Sequence, residues 1–184
     1  MAVPARPDAD KTAARSSGAL RWPWTAGLAL CAGGFAVAGY LTYEHYTAST
    51  TLSCPAGGGI VNCFKVTTSS YSKIGGVPVA VLGLVFFAVM AVVQSPPAWR
   101  SGRPVLRAAR LGWALVGVAT AVWLIYAELF KLDAVCLWCT AAHVISVALF
   151  ALTAFATAVT ASTVDDVEDP TASASDDRAP TGRG

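Results

Sequence analysis

Charge is what this sequence has least of. Of its 184 residues only 13% are Asp, Glu, Lys or Arg, while 55% are hydrophobic. An ordinary soluble domain is about 25% charged. So little charge cannot clothe a water-facing surface, which excludes a soluble globular enzyme, a disordered chain and a nucleic-acid-binding protein. Histidine is equally sparse, at two residues. The few charges also cluster, leaving Trp22–Tyr43, Ile74–Trp99, Leu111–Ala127 and Ala134–Val164 with none. About 20 apolar residues in a helix cross a hydrocarbon core about 30 Å thick. The expected fold is an all-α membrane protein, a four-transmembrane-helix bundle with a long extracytoplasmic loop between the first and second helices.

The position of the charges orients the chain. Arg6, Lys11, Arg15 and Arg21 precede the first apolar run, Arg100, Arg103, Arg107 and Arg110 lie between the second and third, and Arg178 and Arg183 follow the fourth. With four spans these share one face of the membrane, and only Lys65, Lys73 and Lys131 lie on the other. The positive-inside rule makes the arginine-rich face cytoplasmic, so both termini are expected inside a cell membrane and the first and third connections outside it. Residues 1–21 read as a disordered cytoplasmic tail, 22–163 as the membrane domain, and 164–184 as a disordered acidic cytoplasmic tail. The Ala48-Ser49-Thr50 stretch loosely resembles a cleavage site, but the run before it is too long for a signal peptide and reads as a retained span. Gly27, Gly33, Gly34, Gly39, Gly112 and Gly117 inside the runs suit close helix packing in lipid. The second span is expected to start near Val77, with Pro78 in its first turn.

Four of the five cysteines fall on the outward side, where disulfides persist. The fifth, Cys31, sits mid-span and reads as a packing residue. Cys136-Leu137-Trp138-Cys139 opens the fourth span, where the first turn of a helix lowers a thiol pKa and favours dithiol–disulfide cycling. Cys54 and Cys63 lie in the long outward segment Glu44–Lys73, separated by Pro55 and the Gly57-Gly58-Gly59 run. Such a segment closes as a disulfide and also swings. On residues alone the two pairs suit a thiol–disulfide relay, a structural staple or a metal site; the last lacks nearby ligands, because His45 and His143 lie at different depths. His143, four residues after Cys139, shares its helix face one turn deeper, where it reads either as a hydrogen-bond donor to a lipid-soluble electron acceptor or as a histidine satisfied by a neighbouring helix. Trp138 reads as an interfacial aromatic or a stacking platform, and Glu128 as an interfacial carboxylate or a proton relay.

Cys54, Asn62-Cys63, Val66, Ser69, Tyr71, Gly76, Pro78, Gly83 and Cys136-Leu137-Trp138-Cys139, in that order, resemble the vitamin K epoxide reductase family, particularly its bacterial members, over about residues 24–160. The resemblance implies four helices around a quinone headgroup. Its redox centre would be Cys136 and Cys139, with Cys139 acting on the quinone, and Cys54 and Cys63 would shuttle electrons from a thioredoxin-fold protein. His143 stands where animal members have a quinone-binding tyrosine, and Val79 where they have a second polar contact. The chain is expected to lack the thioredoxin domain that many bacterial members carry fused, so a separate DsbA-like protein is the expected partner, with no metal cofactor. Four lysines against nine arginines, with abundant Ala and Gly, hint at a high-GC bacterium and at menaquinone as the acceptor. Quinone-epoxide reduction, or a non-enzymatic metal-binding or stapled membrane protein, are the alternatives.

Overall fold

The structure is a computed structural model that describes residues 7–47, 54 and 59–168. The expected tail residues 1–6 and 169–184, and loop residues 48–53 and 55–58 with Ser49, Pro55 and Gly57-Gly58, lie outside them.

Helix α1 runs Pro7–Thr47, a short α2 covers Cys63–Thr67, and a 3-10 turn covers Ser70–Ser72. Strands β1 (Lys73–Ile74) and β2 (Val77–Pro78) form an antiparallel hairpin. Then come α3 (Val79–Val93), α4 (Pro96–Arg100), α5 (Pro104–Phe130) and α6 (Leu137–Glu168). The four long helices close into a ring, with α1 against α3, α3 against α5, α5 against α6 and α6 against α1. Cys31, Ala38, Phe87, Met90, Ala114 and Leu149 fill the space between them. Cys31 is buried there as a free thiol, in the packing role its apolar neighbours suggest.

Among the described residues three helices are long and apolar enough to cross a membrane: Trp22–Thr47, Pro104–Phe130 and Leu137–Val159. The fourth expected span is altered. The uncharged run from Ile74 to Trp99 breaks into hairpin, helix, turn and short helix, leaving only the 15 residues of α3 as a continuous apolar helix. At 1.5 Å per residue that is about 22 Å, short of a hydrocarbon core of about 30 Å. Local chemistry accounts for both ends. Gly75 and Gly76 have φ of +60° and +84°, the left-handed pair that a two-residue hairpin turn requires. Pro78 is thereby drawn into β2 and caps α3 instead of standing in its first turn, so the helix starts at Val79 rather than near Val77. At the other end Ser95 precedes the Pro96-Pro97 pair, which restarts a new helix.

Helix α1 begins at Pro7, well inside the segment read as a tail; Ala, Lys and Arg there are good helix formers even without an apolar face. Of the six glycines read as packing devices, Gly34 and Gly117 carry the role most strongly, because a Cβ on either would run into the rings of Phe87 and Phe86 respectively. A Cβ on Gly112 would meet nothing within 4 Å among the described residues, so no close approach there calls for glycine.

One end of the ring is closed by polar side chains that satisfy one another. Gln94 donates from Nε2 to the Thr153 hydroxyl at 2.8 Å, and its Oε1 accepts from the Trp99 indole at 2.9 Å. Thr153 in turn donates to the Leu149 carbonyl. Arg110 donates from Nε to the Val93 carbonyl at 3.0 Å, with its guanidinium 3.8 Å from the centre of the Trp99 ring. Only 2% of Arg110 is exposed, so this arginine, besides being one of the four basic residues of the second connection, staples α3, α4 and α5.

Candidate functional site

The other end of the ring holds the four cysteines. Asn62 stops the loop and starts α2 by accepting the Lys65 amide on its side-chain oxygen at 2.9 Å, which places Cys63 in the first turn. Just before it the chain pairs with the segment entering α6. The Val135 amide donates to the Ile60 carbonyl at 2.8 Å, and the Asn62 amide donates to the Val135 carbonyl at 3.1 Å, forming a one-residue parallel bridge between Val61 and Val135. This bridge brings two elements far apart in sequence to one point. Cys63 and Cys136 are both buried there with Val66 and Ala134, and Cys54, Trp138, Leu132 and Cys139 pack against them. Cys54 and Cys63 form a disulfide with Cα atoms 6.0 Å apart, and Cys136 and Cys139 are free thiols.

The two pairs are graded in depth. Cys63 and Cys136 are 1% and 0% exposed, whereas Cys54 and Cys139 are only partly buried. The Cys136 sulfur accepts the Cys139 amide at 3.2 Å, as the first turn of α6 allows. The Cys136 thiol lies below its usual value chiefly because the Cys139 side chain hydrogen-bonds to it; burial and the charge of Glu128 oppose the shift.

Beside Cys139 a cavity of about 360 Å³ opens between the four long helices and under the loop, a volume within the range of small-molecule sites. Its walls are mostly aliphatic and aromatic, including Leu41, Val79, Phe87 and Leu124. Cys139, Ala142, His143 and Ser146 form one stripe of its lining, as their 3.6-residue spacing on α6 requires. Its titratable lining groups are Cys139 and His143 from α6, Glu128 from α5, His45 from α1 and Tyr71 from the loop. His143 is 7% exposed and its Nδ1 is buried with no hydrogen-bond partner among the described residues. An orphaned polar nitrogen in a mostly apolar cavity fits a flat, largely apolar ligand with a carbonyl or hydroxyl group. Val79 lines the same cavity without offering a polar atom.

The residues singled out from sequence divide accordingly. Cys54, Cys63, Cys136 and Cys139 are brought together, and His143 shares the cavity with Cys139. Trp138 is not in the cavity lining. It lies one residue before Cys139, about 100° round the helix, and packs its ring 4.9 Å from that of Tyr40 on α1. Glu128, which the sequence offers as an interfacial carboxylate or a proton relay, is placed at the cavity. It is 5% exposed, lines the cavity, and its Oε2 accepts the Cys136 amide at 3.3 Å. Its signal in the sequence was a lone carboxylate eight residues before the first Cys of the C-x-x-C motif. No group of three or more His, Cys, Asp or Glu side chains able to hold a metal ion is found among the described residues.

Two comparisons bear on this arrangement. No curated protein matches the chain. The sequence model of the Vitamin K epoxide reductase family matches residues 25–154, a stretch that runs from the start of the first span through the C-x-x-C helix and the cavity.

Proposed function

The chain belongs to the vitamin K epoxide reductase family, a family of membrane thiol–disulfide oxidoreductases, and from that premise we propose that it reoxidises a secreted DsbA-like, thioredoxin-fold protein and passes the electrons to a quinone in the cell membrane. The observation that carries this reading is the series formed by a half-buried Cys54, its disulfide partner Cys63, Cys136 packed beside Cys63, and Cys139 opening on an apolar cavity. In this reading the arginine-rich face is cytoplasmic, the hairpin, α3 and α4 together make the fourth crossing that α3 alone is too short for, and the cysteines face outward.

Each exchange follows from the depth of its sulfur. A reduced partner attacks Cys54, the accessible member of the loop disulfide; a mixed disulfide forms, and the partner's second thiol resolves it, leaving Cys54 and Cys63 as thiols. Cys63 then attacks Cys136 of an oxidised Cys136–Cys139 pair, forming Cys63–Cys136 and releasing Cys139. Cys54 closes back on Cys63, and Cys136 departs, helped by its depressed pKa, since a more acidic thiol leaves faster. The dithiol Cys136/Cys139 now holds both electrons beside the cavity. A quinone bound there supplies the terminal acceptor, taking two electrons and two protons to become a quinol. His143 offers its free Nδ1 as the polar contact, and the aliphatic walls exclude water from the exchange. Menaquinone is the acceptor that the composition favours.

Purified full-length chain supplied with a reduced thioredoxin-fold protein and a short-chain naphthoquinone should form quinol. The Cys139→Ala variant should lose that activity by at least about 100-fold, the order of loss when a single essential group is removed. Undiminished quinol formation by Cys139→Ala would refute the relay.

A further inference from the structure

Oxidising Cys136 and Cys139 breaks two S–H bonds, makes one S–S bond and sends two electrons and two protons to the acceptor. The structure provides the two protons with different surroundings. Cys139 lines the cavity, so its proton faces the acceptor directly. Cys136 is fully buried and does not line the cavity. Its sulfur forms no part of the cavity wall; besides the Cys139 thiol that hydrogen-bonds to it, the titratable side chain that meets both Cys136, at its amide, and the cavity is Glu128. One end of that carboxyl accepts the Cys136 amide at 3.3 Å, and the same side chain forms part of the cavity wall. It stands in the last turn of α5 and is nine-tenths buried, with the Ala134 amide bonded to its backbone carbonyl at 3.1 Å. That bond folds the α5–α6 turn so that the head of α6 sits against the carboxyl. Cys136, just before α6, bonds to it, and the titratable groups that line the cavity with it are Cys139 and His143 on α6, His45 on α1 and Tyr71 on the loop. The nearest cation in sequence, Lys131, instead lies 5.9 Å over the Tyr126 ring.

We propose that Glu128 is the proton carrier for Cys136, taking the thiol proton as the Cys136 sulfur closes on Cys139 and delivering it to an acceptor oxygen in the cavity. The carboxylate ends each turnover as it began. One oxygen of the acceptor receives the Cys139 proton and the other receives the Cys136 proton through Glu128. This rests on the quinone-reducing reading above and assigns the route of one of its protons.

Glu128→Gln separates carrying from holding, because the amide oxygen still accepts the Cys136 N–H but cannot transfer a proton. In the full chain in lipid nanodiscs, with a short-chain naphthoquinone as the probe, kcat should fall about 100-fold, the ordinary worth of a positioned acid–base group, with KM unchanged. The pH–rate profile should lose one limb, and transfer from the reduced partner to the Cys54–Cys63 disulfide should be unaffected. A second readout needs no quinone. With the negative charge removed, the pH midpoint for alkylating the Cys136/Cys139 dithiol should move down, since Glu128 opposes thiolate formation at Cys136. Should Glu128→Gln not accumulate, Glu128→Asp serves: a carrier of protons keeps the titrating limb at a shifted midpoint, and absence of the limb overturns the proposal. Wild-type kcat and pH profile in Glu128→Gln also overturn it, while leaving intact any dependence of quinol formation on Cys139. Loss of that dependence refutes the underlying reading instead.

Discussion

The two ends of the helix ring handle polar groups in opposite ways. At the Gln94 end every named side chain meets another: Gln94 bonds Thr153 and Trp99, and Arg110 bonds a carbonyl while stacking over the same indole. A Cβ on Gly27 would stand 3.0 Å from the Gln94 side chain, so even the backbone of α1 is fitted to this cluster. At the Cys139 end a cavity of about 360 Å³ is left, His143 keeps a nitrogen without a hydrogen-bond partner among the described residues, and two thiols are outside any disulfide there. Buried polar groups cost little when satisfied and about 1–3 kcal/mol when not. The first end is therefore built for stability, and the second gives up stability, which on the proposed function serves to hold a quinone and move electrons.

That contrast predicts a separation of phenotypes. The largest stability effect belongs to the satisfied end. Arg110→Ala removes a charge-assisted hydrogen bond and a cation–π contact, and should cost about 3 kcal/mol. The thermal midpoint of the detergent-solubilised chain should drop, while quinol turnover per folded molecule stays at the wild-type level. A loss of turnover without a loss of stability would break the division of labour. The smaller effect has the opposite sign. His143→Leu removes an unsatisfied buried nitrogen and should stabilise the chain by about 1 kcal/mol. It should also raise the KM for the naphthoquinone about tenfold, by the loss of one hydrogen bond. A variant less stable than the wild type, with KM unchanged, would mean that His143 serves packing.

Much of the site was legible in the sequence because its chemistry is carried by rare residues in a chain with few of them. Four cysteines on one side of the expected membrane, and His143 at helical spacing from Cys139, are local patterns that survive folding unchanged. The parts that were not legible depend on tertiary neighbours. Glu128 looks like any carboxylate at a helix end until the Ala134–Glu128 backbone bond turns the head of α6 onto it. Trp138 is adjacent to Cys139 in sequence but belongs to a different helix face, against Tyr40. Arg110 reads as one topology charge among four, and its contact with the Trp99 ring shows only in the fold. The apolar run from Ile74 to Trp99 hides its breaks from a hydropathy count, although Gly75-Gly76-Val77-Pro78 and Ser95-Pro96-Pro97 mark both of them by backbone chemistry alone.

In the proposed relay Cys63 and Cys136 exchange electrons at the point where Val61 pairs with Val135. Its most direct test is to trap that exchange in the full chain carrying Cys54→Ala and Cys139→Ala, so that neither sulfur has its own partner. After mild oxidation, peptide mapping under non-reducing conditions should recover a Cys63–Cys136 disulfide as the dominant product. Two free thiols at these positions, or cross-links only between separate chains, would contradict the relay.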